Sequence, residues 1–141
     1  MSEENKARAR RFYEEVITQK KLNVIDELCD PAVIDHSAFP GQAPGAAGLK
    51  QSFADMLAGL PDLRITVHDM VAEGDLVVAR FTAEGTHTGT IFGTAPTGKR
   101  VSFRGIDMIR IKNGRATEVW HEGNDVEMLM QLGVQLPSAT S

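Results

Sequence analysis

The chain changes its hydrophobic period near the middle. Up to Pro61 the apolar positions fall at helical spacing; from Leu63 onward they alternate. Ala9, Phe12, Tyr13 and Val16 stand at i, i+3, i+4 and i+7 and predict a first helix over Glu3 to Thr18. Ser2 is its expected cap, with Glu3 and Glu4 in the first turn, where the helix dipole favours acids. A short second helix is expected after Asn23 as cap, with Val24, Ile25 and Leu28 inward and Pro31 as its stop. Ala32 to His36 reads as a short strand, and Pro40 to Gly48 as a loop. A third helix carries Leu49, Phe53, Met56 and Leu57 on one side and ends near Gly59.

The alternating half predicts four strands. Leu63 to Glu73 places Leu63, Ile65, Val67, Asp69 and Val71 on one face, and Glu73-Gly74-Asp75 turns the chain. Leu76 to Thr88 follows, with a bulge expected at Gly85. Ile91 to Gly98 is a loop, and Lys99 to Ile111 and Arg115 to Glu122 flank an Asn113-Gly114 hairpin. Val126, Leu129, Met130 and Leu132 predict a terminal half-helix capped by Asn124 or Asp125. Helices first and a strand meander afterwards imply an α+β fold. The expectation is a cone-shaped α+β barrel, its N-terminal helices packed on the concave face of a curved, mostly antiparallel mixed sheet. A twisted sheet covered on one face can hold a pocket.

One residue breaks the pattern of the fourth strand. Val101, Phe103, Gly105, Asp107, Ile109 and Ile111 share a face that is apolar except for Asp107. A buried carboxylate needs a partner. The Asn113-Gly114 hairpin decides which one. A strict two-residue turn with unbroken pairing sets Trp120 beside Asp107. A bulge or a longer turn puts Thr117, Val119 and His121 on that face, which is the register expected here because it supplies an ionic partner. Asp107 and His121 then form a dyad, with an ordinary histidine pKa of ~6.5 suited to moving protons at neutral pH. The alternative is a satisfied ion pair that only holds the sheet together.

His87 shares a face with Val77, Ala79 and Phe81, and His36 ends the short strand; both are candidates to contact a substrate. Phe12, Tyr13, Phe103 and Val119 are expected to form pocket wall. No HExxH, no ligand pair at short spacing and no second cysteine occur, so no metal is expected. Gly85, Gly89 and Gly93 precede no helix and make no phosphate loop. Ser37 and Cys29 lack the setting of an activated nucleophile.

Composition narrows the rest. The 141 residues fit one domain, read as 1–136 with a flexible tail at 137–141. A net charge of −4 offers no basic face for nucleic acid. No apolar run approaches the ~20 residues of a membrane span, and no signal peptide is visible. A single cysteine forms no internal disulfide, so a reducing, cytoplasmic setting is expected. The expected partners are a small molecule and a second copy of the chain, paired through the open sheet face.

Several stretches resemble the SnoaL-like polyketide cyclases of the nuclear-transport-factor-2-like superfamily. They are Asp35-His36-Ser37 with Pro40-Gly41; Gly85-Thr86-His87-Thr88-Gly89 with Phe92-Gly93 and Pro96-Thr97-Gly98-Lys99; Gly105-Ile106-Asp107 with Arg110-Ile111, Gly114-Arg115, Glu118 and Trp120; and Gln131-Leu132-Gly133. They run in order along nearly the whole chain. The resemblance implies cofactor-independent acid/base catalysis, with ring closure of a polyketide by intramolecular aldol condensation. In that family an aspartate of the last strand acts as acid/base beside a histidine of the preceding strand. Counted from the hairpin, those positions fall on His121 and Asp107, so the pair stands here with its residue types exchanged. The expected activity is aldol-type cyclisation of a small, largely apolar carbonyl compound. The alternatives are a non-catalytic small-molecule-binding module, or a hydrolase, hydratase or isomerase using the same pocket.

Overall fold

The computed structural model describes residues 2–134; the tail expected at 137–141 lies outside the described residues. Helix α1 spans Ser2–Arg11 and runs on without a break into a π-helical segment, Phe12–Thr18. Then come α2 (Val24–Leu28), β1 (Cys29–Asp35), α3 (Gly45–Gly59), β2 (Arg64–Glu73), β3 (Leu76–Thr86), β4 (Arg100–Lys112), β5 (Arg115–Gly123) and α4 (Asp125–Gln131). The strands form one curved, open sheet in the order β1-β5-β4-β3-β2. β2 to β5 are an antiparallel meander, and β1 joins β5 in parallel. No helix of the described residues is long and apolar enough to cross a membrane.

The helical layer covers one sheet face because its apolar stripe matches that face. Ala9, Tyr13, Val16 and Ile17 are buried against Val77, Ala79, Phe81 and Val101. The predicted helix is there, but its second half is wound wider than an α-helix. The wider turn sets Tyr13 and Ile17 on the buried side, each 1–2% exposed. π-turns of this kind recur at functional sites.

Several local expectations are overturned. Ser2 lies inside α1. Asn23 and Asn124 occupy the cap positions of α2 and α4, yet neither side chain makes a capping bond. Pro31 does not stop α2, which already ends at Leu28; it sits within β1, where the pairing with β5 shifts between Cys29 and Ile34. An edge strand with a bulge accepts a proline because no ladder donor is missed. β2 bulges between Val67 and Asp69, so Met70 and Ala72 turn inward and Val71 is 62% exposed. β3 instead passes Gly85 with regular pairing to Val101. Met128 in α4 and Leu132 just past its end are the inward residues, while Val126 and Met130 face out.

The β4–β5 hairpin resolves the register question in both directions. Asn113 (φ 52°) and Gly114 (φ 80°) make a tight two-residue turn, with Lys112 opposite Arg115. Positive φ at both positions is what such a turn demands. One pair further on the ladder slips: Ile111 faces Ala116 but Arg110 faces Glu118. Thr117 is the extra residue of that bulge rather than a member of the inner face, and Ala116 takes the buried place. Beyond the bulge, Ile109 pairs with Val119 and Asp107 with His121.

β5 stops at Gly123, opposite Gly105, and leaves the first residues of β4 without that neighbour. Side chains of α4 and its cap replace the missing strand. The Gln131 amide donates to the Ser102 carbonyl and accepts from the Ser102 N–H, both at 2.9 Å. Asn124 Oδ1 accepts from the Arg104 N–H at 2.8 Å. This docking, with Met128 and Leu132 buried beneath, fixes where α4 begins and therefore where Asp125 points.

Candidate active site

Between the helices and the concave sheet face lies a cavity of about 210 Å³. That exceeds the ~150 Å³ that accepts a benzene ring in a core cavity and falls short of typical drug-sized pockets, so it suits one or two rings. Its wall is mostly apolar, with Phe12, Tyr13, Phe81, Phe103, Ile109 and Val119 among the lining residues. Phe12, Tyr13, Phe103 and Val119 thus stand where the sequence placed them.

Four polar side chains form a continuous chain along this wall. The Tyr13 hydroxyl donates to Asp107 Oδ2 at 2.7 Å. Asp107 Oδ1 lies 2.7 Å from His121 Nδ1. His121 Nε2 lies 3.2 Å from Asp125 Oδ2 and 3.3 Å from its Oδ1. Exposure rises along the series: the Asp107 side chain is 18% exposed, His121 33% and Asp125 43%.

Each member is held by backbone geometry. β4 presents Asp107 and β5 presents His121 as directly paired residues. The Ser37 hydroxyl, just past β1, accepts from the His121 N–H at 2.8 Å and donates to the His121 carbonyl at 3.0 Å. Ser37 so extends the β1 pairing and pins the His121 backbone. Gly105 leaves the space the imidazole fills: a Cβ there would lie 2.7 Å from His121 Cε1 and 2.8 Å from Phe81 Cζ.

The electrostatics differ from those of an isolated histidine. The hydrogen bond that the ring gives to Asp107, then the one it gives to Asp125, outweigh burial and push the His121 pKa from 6.5 up to about 10. The ring is therefore an imidazolium at neutral pH, with an N–H aimed at a carboxylate on each side. It is not the neutral shuttle expected from the ordinary value. Burial first, then the neighbouring Asp107 charge, raises the Tyr13 phenol well above its usual range and keeps it a donor. Burial pushes the Cys29 thiol, also on the cavity wall, up to about 12.

Two expected contacts do not reach the cavity. His87 is fully buried elsewhere and pins the β3–β4 loop: its Nδ1 lies 2.9 Å from Thr97 Oγ1 and accepts the Thr97 N–H at 3.3 Å. The alternation that pointed it inward held, but the strand ends at Thr86 and the chain turns away there. His36 lies on the opposite sheet face, stacked on Trp120 at 4.6 Å. Asp125 was expected only as a cap. The signal for it was its spacing, four residues after His121 across the turn into α4, but sequence alone does not show that turn folding back on the ring.

A family model described as SnoaL-like polyketide cyclase matches residues 7–132. No curated protein matches the chain. Among solved structures, AclR, a candidate hydroxylase from Streptomyces galilaeus, superposes with a TM-score of 0.84 at 28% identity, over 97% of this chain and 100% of that one. IdmH, a candidate polyketide cyclase from Streptomyces antibioticus, does so with a TM-score of 0.79 at 31% identity, over 92% and 99%. A candidate polyketide cyclase from Bacillus cereus gives a TM-score of 0.82 at 28% identity, over 94% and 83%.

Proposed function

The chain belongs to the SnoaL-like polyketide cyclase family, and on that premise we propose that it is a cofactor-independent acid/base catalyst of aldol-type ring closure in a small, largely apolar carbonyl compound. The observation that carries this reading is the Tyr13–Asp107–His121–Asp125 chain set along an otherwise mostly apolar cavity. In such a closure an α C–H bond breaks and its electron pair forms the new C–C bond to a second carbonyl carbon. The oxygen of that carbonyl becomes an alkoxide and takes a proton. His121 is suited to give it. Asp107 holds Nδ1–H and the ring orientation, while Nε2–H faces the more exposed end of the array and can be offered to a substrate oxygen once Asp125 yields it. Tyr13 fixes the second oxygen of Asp107, so the carboxylate does not rotate. A positioned proton donor of this kind is worth ~10²–10⁴-fold in rate.

The test uses 2,6-heptanedione, which closes to 3-hydroxy-3-methylcyclohexanone and, on loss of water, to 3-methylcyclohex-2-enone. Product formation above the buffer rate, lost in His121→Asn, supports the reading. Saturable binding without turnover points instead to a binding module, a reading favoured by the fact that the four polar groups already satisfy one another.

We also propose that the outer sheet face pairs with a second copy of the chain. Ile34, Val71 and Ile106, on three strands of that face, are 53%, 62% and 49% exposed and would be covered in such a pair. Sedimentation showing only monomer at micromolar concentration removes that proposal.

A further inference from the structure

An imidazolium whose two N–H groups both donate cannot also remove a proton. If His121 supplies the acid, the base that breaks the α C–H bond must be another group on the cavity wall. The titratable residues lining it are Arg8, Tyr13, Cys29, Asp35, Asp107, His121 and Asp125. Arg8 is a cation, and burial keeps Tyr13 and Cys29 protonated. Both Asp107 oxygens are engaged, by Tyr13 and by His121. Both Asp35 oxygens accept bonds inside its own loop, from the Ser37 N–H at 2.9 Å and the Gln42 amide at 2.9 Å. Asp125 remains. Among the described residues its one side-chain partner is His121 Nε2, at 3.2–3.3 Å against 2.7 Å for Asp107, and it is the most exposed member of the polar chain.

We propose that Asp125 is a second catalytic residue: it takes the proton from the carbon next to the substrate carbonyl, while His121 Nε2 gives one to a carbonyl oxygen. The inference rests on the acid/base reading above and assigns its missing half. The substrate class follows from the charges. Two carboxylates around one imidazolium leave the array net negative, which suits a neutral ketone and disfavours an anion. The ketone oxygen displaces Asp125 from Nε2, and the freed carboxylate then faces the adjacent carbon. The C–H bond breaks, its pair becomes the enol double bond, Asp125 carries the proton, and the oxygen holds the proton from His121. As the enol carbon bonds to the second carbonyl carbon, the enol O–H returns its proton to Nε2 and Nε2 passes it to the new alkoxide oxygen. Asp125, again within reach of Nε2, then gives its own proton back there, so both groups end as they began.

The half-reaction can be read without the natural substrate. 2-Tetralone is a neutral two-ring ketone whose C1 protons exchange slowly with D₂O, and deuterium uptake at C1 is followed by NMR. The wild-type chain is expected to accelerate uptake over buffer. Asp125→Asn is expected to lower that acceleration by at least about 10²-fold, with tetralone affinity within about twofold and the His121 ring still an imidazolium at pH 7 by its Cε1 and ring-nitrogen shifts. Asp125→Glu should recover part of the rate. Wild-type exchange in Asp125→Asn overturns the proposal and leaves the acid/base reading standing, with His121→Asn as its control. A rate lost together with the imidazolium signal also overturns it, because Asp125 would then act only through the ring. If tetralone fails to bind, or binds to the wild type and exchanges no faster than in buffer, the acid/base reading fails and takes this proposal with it.

Discussion

Strand β5 contributes one member to a histidine–carboxylate pair on each of its faces, and only the inner pair lines the cavity. Inside, His121 meets Asp107 at 2.7 Å. Outside, His36 meets Glu118 at 3.1 Å and stacks on Trp120. The rings are about equally exposed, with side chains 33% and 36% open. What differs is who else holds the carboxylate. Asp107 shares its second oxygen with a buried phenol, which is neutral and leaves the negative charge to the imidazole. Glu118 shares its second oxygen with Arg110 at 2.7 Å, and Arg110 also reaches Asp75 at 2.6 Å and lies over Trp120. A permanent cation already answers the Glu118 charge. The residue types match across the strand, but a hydroxyl partner concentrates charge on its histidine and a guanidinium partner disperses it.

The largest expected effect separates the two faces directly. His121→Asn removes the proton donor and should slow 2,6-heptanedione closure by ~10²–10⁴-fold. His36→Asn should leave the rate within about twofold, since the ring lies outside the cavity. Equal losses in both variants would mean that the inner face has no special role.

A smaller effect is expected from Gly105→Ala, which changes no polar group. The added Cβ would sit 2.7 Å from the His121 ring and 2.8 Å from Phe81, so one of them must move. Overpacking of this kind costs about 1–3 kcal/mol. Turnover should fall further than that stability loss alone explains, because a ring displaced from Asp107 loses its orienting acceptor. The His121 ring-nitrogen shifts report the displacement; unchanged shifts with full turnover count against the close fit.

Much of this contrast is legible in the sequence. Asp107 stands out because alternation makes it the one polar residue on an apolar face, and the Asn113-Gly114 turn brings β5 beside it. The register was legible only through chemistry: the turn alone demands Trp120 opposite Asp107, and the bulge at Thr117 that brings in His121 has no composition signal. The same holds for β2, where the bulge before Asp69 exchanges its faces. His87 misled because alternation reports burial rather than what lies next to the buried group. Asp125 was missed because its role depends on the angle at which α4 leaves Gly123, set by Asn124 and Gln131 bonds to the far end of β4. Helix existence, strand order and the inner face follow from local periodicity. Bulges and the aim of a terminal helix follow from tertiary contacts.

The inner pair also has a pH signature. The folded-state pKa of His121 is raised from 6.5 to about 10, so folding binds a proton between those values. The stabilisation is fully present below pH 6.5, shrinks as pH rises, and is gone above about pH 10. Urea midpoints at pH 6, 8 and 10 should therefore fall faster for wild type than for His121→Asn, with the two curves converging at the alkaline end. Parallel curves would show that the imidazolium is not held by Asp107 and Asp125.

The smallest effect belongs to Glu118→Gln on the outer face. Its carboxyl is held below the usual range, chiefly by the His36 hydrogen bond and then by Arg110. The group is open to water, where such pairs add little stability and are screened by salt. At low protein concentration the substitution should shift Tm by roughly 1–2 °C, and less in 0.5 M salt, a shift no greater than a weak surface pair supplies. Concentration then adds a second reading. Where another copy covers this face, Arg110 loses its water and one of its two carboxylate partners, keeping only Asp75, and a cation so weakly compensated at an interface is costly. The Tm penalty should then grow as the protein is taken from nanomolar to micromolar, and sedimentation of the variant should shift towards monomer. A penalty that stays constant across that range means that the face remains open to water, so that the weak outer pair is only a solvated one and no second copy covers Ile34, Val71 and Ile106.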